Sequence, residues 1–243
     1  MLKNFIIIFC VICFITSCKT INISQESQTN TSQQVSLGTI GSNKDFLLQN
    51  KFNSAAIPTY KAPIKLSINI VSFNKQTHKA FIKAKALQAA NVTINYIDTI
   101  PNKPKYVKLQ IADKVAIIKA LNSEENNGVK DYLSHNTYAN VLTSISLALN
   151  KDKLKDVTKA DAAFLIEKRP KTYTLQLYKN ATKTEISLNQ GVVFAYKSSN
   201  CCWQENKKYR LNIVDLVSEF NSCPNKTYRS AKRARKKINY YKL

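Results

Sequence analysis

Glycine, histidine and acidic residues are all scarce in this chain, and each scarcity removes a class of function. Of 243 residues only 4 are glycine, and none of the four lies in a spaced motif, so glycine-rich loops that wrap backbone amides around a phosphate are not present. The 2 histidines, His78 and His135, adjoin no candidate nucleophile in sequence and read as surface residues rather than bases. The 15 acids are scattered. Asp113, Asp131, Asp152, Asp156, Asp161 and Asp215 stand singly among lysines, where they suit helix caps and surface pairs. Glu124 and Glu125 are adjacent on an expected loop, which does not present two carboxylates to one glycosidic bond. No Cys-x-x-Cys spacing and no histidine close to the cysteines supplies four metal ligands, so neither a metal nor a cofactor is implied. The longest apolar run, Phe5 to Ile15, would span roughly 16 Å as a helix, about half of a bilayer core, and is too short to cross one.

What the chain does have is positive charge. Its formal net charge is +22, and 32 of the 37 basic residues are lysine. The chain is also crowded with asparagine and isoleucine, whose codons share the A/T bias of lysine codons, so genome composition accounts for part of this excess. A net charge of this size still favours anionic partners. Nucleic acid is disfavoured among them, because nucleic-acid sites draw on arginine forks and stacked aromatics.

The amino end has the shape of a signal peptide: Lys3, then the apolar run, then Ile15-Thr16-Ser17-Cys18. That tetrapeptide resembles the lipobox of bacterial lipoproteins, in which an aliphatic residue and two small ones precede a cysteine that is acylated and becomes the first residue of the mature protein. The resemblance covers about twenty residues and implies export, removal of residues 1–17, and membrane attachment through lipid on Cys18. Lys19, rather than aspartate, after the cysteine resembles the sorting pattern for the outer membrane. The acidic cluster usual in lipoproteins that Bacteroidota display outside is missing, which implies a domain facing the periplasm. From Lys19 to about Asn43 the chain is almost wholly Ser, Thr, Gln and Asn, so residues 18–57 are expected to be a flexible tether with an end-to-end distance on the order of 35 Å.

The remaining length suits one domain, expected over 58–225. Period-two alternation marks strands at Ile64–Ile70, Val92–Tyr96 and Val107–Ile111, and Ala80–Ala90 leans the same way. Val115, Ile117, Ile118 and Leu121 recur at helical spacing behind a capping Asp113, and a second short helix is expected over Val129–Leu133. Val141–Leu149 is apolar on both faces and is expected to lie centrally in a sheet. A short helix over Asp152–Val157 and a strand over Ala162–Glu167 precede four strands, Tyr173–Tyr178, Thr184–Leu188, Val192–Tyr196 and Tyr209–Val217, expected to form an antiparallel meander. The fold class is therefore α+β: a largely antiparallel sheet, a few short helices on one face, and a basic C-terminal helix over 226–243.

Three cysteines remain in the mature part besides Cys18. In an oxidising compartment Cys223 is expected to pair with Cys201 or Cys202, closing a loop worth on the order of 3 kcal/mol in the chain-entropy picture. Cys201-Cys202-Trp203 faintly resembles the Cys-Trp of papain-like proteases, but that family's histidine follows the cysteine and none follows here. No acid occurs after Glu219, while cations gather. At helical spacing Ala231, Ala234, Ile238 and Tyr241 form one stripe and Arg229, Lys232, Arg233 and Lys236 another. Those four cations are the expected contacts to anionic lipid or cell-wall polymer. The sequence thus reads as an envelope lipoprotein with a binding or structural domain and no visible catalytic motif. The alternative is a hydrolase of envelope polymers whose pocket residues are far apart in sequence.

Overall fold

The computed structural model describes residues 20–23, 26–46 and 49–235. Twelve strands form one sheet in which every pairing is antiparallel. They are β1 (Thr20–Ile23), β2 (Glu26–Asn30), β3 (Ile40–Phe46), β4 (Gln49–Ala56), β5 (Ile64–Ser72) and β6 (Lys105–Ile111), followed by β7 (Asn140–Ala148), β8 (Ala162–Arg169), β9 (Thr172–Lys179), β10 (Thr182–Ser187), β11 (Val192–Glu205) and β12 (Leu211–Ser218). Their order is β1-β2-β11-β7-β6-β5-β8-β9-β10, with β12 on β11, and β3 on β7 and β4. Five helices accompany them: α1 (Lys75–Lys85), α2 (Lys114–Leu121), α3 (Asn127–His135), α4 (Lys151–Thr158) and α5 (Ala231–Ala234).

Two strands run through the middle. The strand β7, apolar on both faces as its sequence indicates, pairs with β11 along one edge and with β6 and β3 along the other. Its Ile145 and Leu147 face Leu109 and Val107 of β6 and are fully buried. Burial on this scale contributes about 1.5–3 kcal/mol for each such side chain. The partner strand β11, at 14 residues, runs well past the Val192–Tyr196 that the sequence alternation marks. It outruns β7 and offers its far end to β12.

Alternation along the central strands separates two cores. Val107, Leu109, Ile145 and Leu147 belong to the larger one, which receives Ile117 and Leu121 of α2, Leu133 of α3 and Val157 of α4. Tyr106, Ala148, Val192 and Phe194 belong to a second, which receives Ala80, Phe81 and Ala84 of α1. The helices therefore occupy both faces, not one. Residues 80–90 begin as helix rather than strand because Asn74 caps α1 through a reciprocal bond with Thr77, and Thr77, Ala80, Phe81 and Ala84 fall on one helical stripe. Residues 92–96 are not a strand. Val92 is buried and Ile94 and Tyr96 half-buried against the second core, so their apolar side chains are satisfied by packing without a ladder partner. The expected four-strand meander also breaks: β8, β9 and β10 are consecutive neighbours, but β11 crosses to the other side of the sheet and pairs with β7.

The largest departure from the sequence reading lies in 18–57. Residues 26–57 are not a tether. They include β2, β3 and β4, and Val35, Leu37, Ile40 and Phe52 are core residues. Composition hid this because many polar side chains there are buried and bonded. Gln28 accepts from the Ser146 hydroxyl at 2.6 Å and donates to Ser144 Oγ at 3.0 Å, locking β2 onto β7. Gln88 donates to the carbonyls of Ser32 and Val193. Gly38 makes the turn before β3 at φ +82°, with its carbonyl accepting from Tyr60 Oη at 2.7 Å, and a Cβ there would meet the Tyr60 ring at 2.9 Å. The domain thus takes in 26–57 at its amino end, and 226–235 at its carboxyl end.

Leu37→Ala and Gln28→Ala separate a tether from a folded segment. Leu37 is wholly buried, so its truncation should cost about 2–5 kcal/mol. Losing Gln28 strands the buried Ser146 hydroxyl, while Ser144 keeps its bond to the Leu109 carbonyl, and should cost about 1–3 kcal/mol. Urea midpoints unchanged in both variants would show that 26–40 is not part of the fold.

Candidate functional site

The carboxyl-terminal segment is stitched to β11 before its cations begin. Cys202 on β11 is disulfide-bonded to Cys223, with Cα atoms 5.7 Å apart and a sequence separation of 21. Cys202, not its neighbour, is therefore the partner of Cys223. Tyr228 then forms a two-way backbone bridge with Trp203, at 2.7 and 3.0 Å. Trp203 is itself buried in the main core, so the bridge places 228 on a rigid element.

Arg229 comes next, and its guanidinium is occupied. Nη2 donates to the carbonyls of Ser218 (3.4 Å), Glu219 (2.5 Å) and Asn221 (2.6 Å), holding the turn that follows β12. Arg229 is an exposed cation that precedes the helix and at the same time braces a turn. The expected helix over 226–243 is a single turn among the described residues, α5, capped by the Ser230 hydroxyl. Ala231 and Ala234 are buried in the main core, which fixes α5 and turns Lys232 and Arg233 outward to solvent. Lys236, the fourth expected contact, lies outside the described residues, as do Cys18 and the leader.

Among the described residues the one free thiol is Cys201, which is buried, and burial pushes its pKa up to about 12. It is neither an active nucleophile nor poised to attack the neighbouring disulfide. The histidines do not converge on a shared pocket. His135 sits at the end of α3 with Nδ1 2.9 Å from the Asp131 carbonyl oxygen. His78 stacks on Tyr96 at 4.7 Å between ring centres. Tyr96 donates to Asp98 at 2.6 Å, a bond that holds the phenol up to about 12 and draws the carboxyl below its usual range. This cluster holds one carboxylate and no hydroxyl or thiol activated by the imidazole. Among the described residues no group of three or more His, Cys, Asp or Glu is placed to hold a metal ion, and no helix is long and apolar enough to cross a membrane.

A second feature, which sequence reading passed over, adjoins the tail. Ser27, Gln28 and Thr29 of β2 and Ser218, Glu219 and Phe220 line a cleft of about 80 Å³ together with Tyr196, Lys197 and Ser198. Phe220 stands at its edge with 82% of its surface exposed. The one sequence signal was an aromatic ring set between Glu219 and Asn221, just where the last strand ends.

The burial of Cys201 fixes what alkylation should find. The folded protein should leave Cys201 unmodified by iodoacetamide at neutral pH, and unfolding without reductant should expose it while Cys202 and Cys223 stay paired. Peptide mapping that recovers modified Cys201 from folded protein, or free Cys223, would contradict this arrangement.

No protein-family model and no curated protein matches the chain. Among solved structures, a chain of the cryo-EM structure of the Gasdermin A3 membrane pore is similar at 8% identity and a TM-score of 0.31, over 88% of this chain and 94% of that one, a likeness too low to carry an inference.

Proposed function

We propose that the protein is a membrane-anchored lipoprotein of the cell envelope, lipidated at Cys18, whose domain serves as a binding or structural component rather than a catalyst. The observation that carries this is the lipobox Ile15-Thr16-Ser17-Cys18 at the end of an apolar run too short to span a bilayer. The outer membrane, with the domain on the periplasmic side, is the favoured location, since Lys19 follows the cysteine. The basic segment is the proposed contact to anionic lipid or cell-wall polymer, with Lys232 and Arg233 as its outward cations and Lys236 following them. Arg229 supports that contact by bracing the adjacent turn. A hydrolytic role gains no support from the placement of His78 and His135 on separate elements without an activated nucleophile.

Cys18→Ala tests the anchor. Radiolabelled palmitate should enter the wild-type chain and not the variant, and the variant should retain its leader. Label in the variant, or an intact leader on mature wild-type protein, would refute lipidation at this position. For the basic contact, a form beginning at Lys19 should bind anionic liposomes better than neutral ones. Lys232→Gln with Arg233→Gln should weaken that binding by about 2 kcal/mol, roughly thirtyfold at moderate salt, because each engaged cation is worth about 1 kcal/mol. The difference should shrink at 1 M salt, where the Debye length falls to about 3 Å. Equal binding by the two proteins would leave these cations as solvated surface.

A further inference from the structure

Lys19 alone separates Cys18 from Thr20, and two residues of extended chain reach at most about 7 Å. Thr20 of β1 pairs with Thr29 of β2, and Thr29 pairs with Tyr196 of β11. The same stretch of β2 forms one wall of the cleft whose other wall is Ser218, Glu219 and Phe220. A group attached at Cys18 is therefore tied to the end of the molecule that carries the turn after β12. That turn holds Phe220, 82% exposed. It cannot fold the ring inward easily, because Arg229 binds three of its carbonyls and Cys223, two residues beyond Asn221, is disulfide-bonded. Lys232 and Arg233 follow on the same anchored segment and face solvent. Glu219 is the one acid on the turn, and no acid follows it in the sequence.

We infer that this end is the bilayer-facing surface of the protein. Resting on the lipidation of Cys18 proposed above, the inference is that Phe220 enters the boundary between headgroups and acyl chains while Lys232 and Arg233 lie against anionic headgroups. Arg229 is a positioning residue that presents the ring. An exposed aromatic beside cations suits this depth, since an apolar side chain gains by entering the boundary and the cations remain among charged headgroups. The opposite end of the sheet order, β10, is seven strand spacings away from β2, about 30 Å at the usual interstrand distance, and faces away from the membrane.

Tryptophan reporters test this in the full lipidated chain. Phe220→Trp and Asn221→Trp place a reporter on the turn, and Lys183→Trp places one on exposed β10; the sole native tryptophan, Trp203, is buried and gives a constant background. Each protein is reconstituted into vesicles of phosphatidylethanolamine and phosphatidylglycerol, with and without bromine on the acyl chains. The two turn reporters should shift to the blue and lose emission in brominated vesicles, and the Lys183→Trp reporter should not. Vesicle-bound, palmitate-bearing protein whose turn reporters keep their emission, or whose β10 reporter is quenched equally, would overturn the orientation while leaving lipidation in place. Absence of palmitate from the wild-type chain would remove lipidation and this orientation together.

Discussion

The pairing of β7 with β11 is the constraint on which the rest of the structure depends. Both strands are buried on both faces, and their ladder carries bulges at Val193/Ala195 and Lys197/Ser198. A bulge adds a residue on one side of a ladder and bends the strand. With the β7 ladder leaving off at Ser199, β11 continues for six more residues, which pair with β12 and, at Trp203, with Tyr228. That overhang holds Cys202 and Trp203, the two points to which the carboxyl-terminal segment is fastened. The edge of β11 that carries β12 also receives β2, at Ala195 and Tyr196. One long strand thus gathers the β1–β2 pair and the segment from Cys223 to Arg235 to neighbouring places. The closeness of the amino-terminal hairpin to the basic segment is a consequence of that strand's length, not a separate feature.

Lysines are spread over the surface, many of them on strands and helices, such as Lys65 of β5, Lys168 of β8 and Lys183 of β10. Exposed pairs such as Lys114 with Asp215, at 2.6 Å, contribute at most about 1 kcal/mol and leave both groups screened by water. Lys232 and Arg233 differ in their footing. Two buried alanines, a bridge to Trp203 and a disulfide upstream hold the backbone that carries them. Fixing the backbone beforehand reduces the entropy lost when such cations meet a charged surface. Arg229 illustrates the opposite use of a cation: its charge is spent on three carbonyl oxygens of the same chain.

The legible parts of this fold were those in which one residue type dominates a period. Val141–Leu149 announces a central strand because almost every position is apolar, and Asp113 announces a helix start because its carboxylate accepts from the Ala116 amide. The illegible parts depended on contacts between distant residues. Gln28 lies in a run of Ser, Thr, Gln and Asn, and only the hydroxyls of Ser144 and Ser146, more than a hundred residues later, make it a buried residue. Val35, Leu37 and Ile40 were too sparse among polar neighbours to override composition. The β1–β2 hairpin folded into the sheet is likewise invisible until β11 is known to have a free edge. For the site, the cysteines and the cationic run were readable as a set, whereas the choice of Cys202 over Cys201 and the diversion of Arg229 were matters of which way a side chain points.

Correcting the tether changes what a lipid on Cys18 would do to the domain. A flexible chain of about 38 residues would let the domain sample every orientation and would leave its basic segment to find an anionic surface by diffusion within roughly 35 Å. With β1 beginning at Thr20 and paired to β2, Lys19 alone separates that strand from Cys18 in sequence. A lipid on Cys18 would then hold the domain against the surface by its own sheet, and the cations of the basic segment would act at an effective concentration set by folded geometry rather than by linker length. Under that condition even weak contacts, each worth about 1 kcal/mol, suffice to select one face, because they compete only with other orientations of an already tethered body and not with release into solution. The lipid would supply retention and the basic turn would supply orientation, two tasks that a long tether would have kept apart.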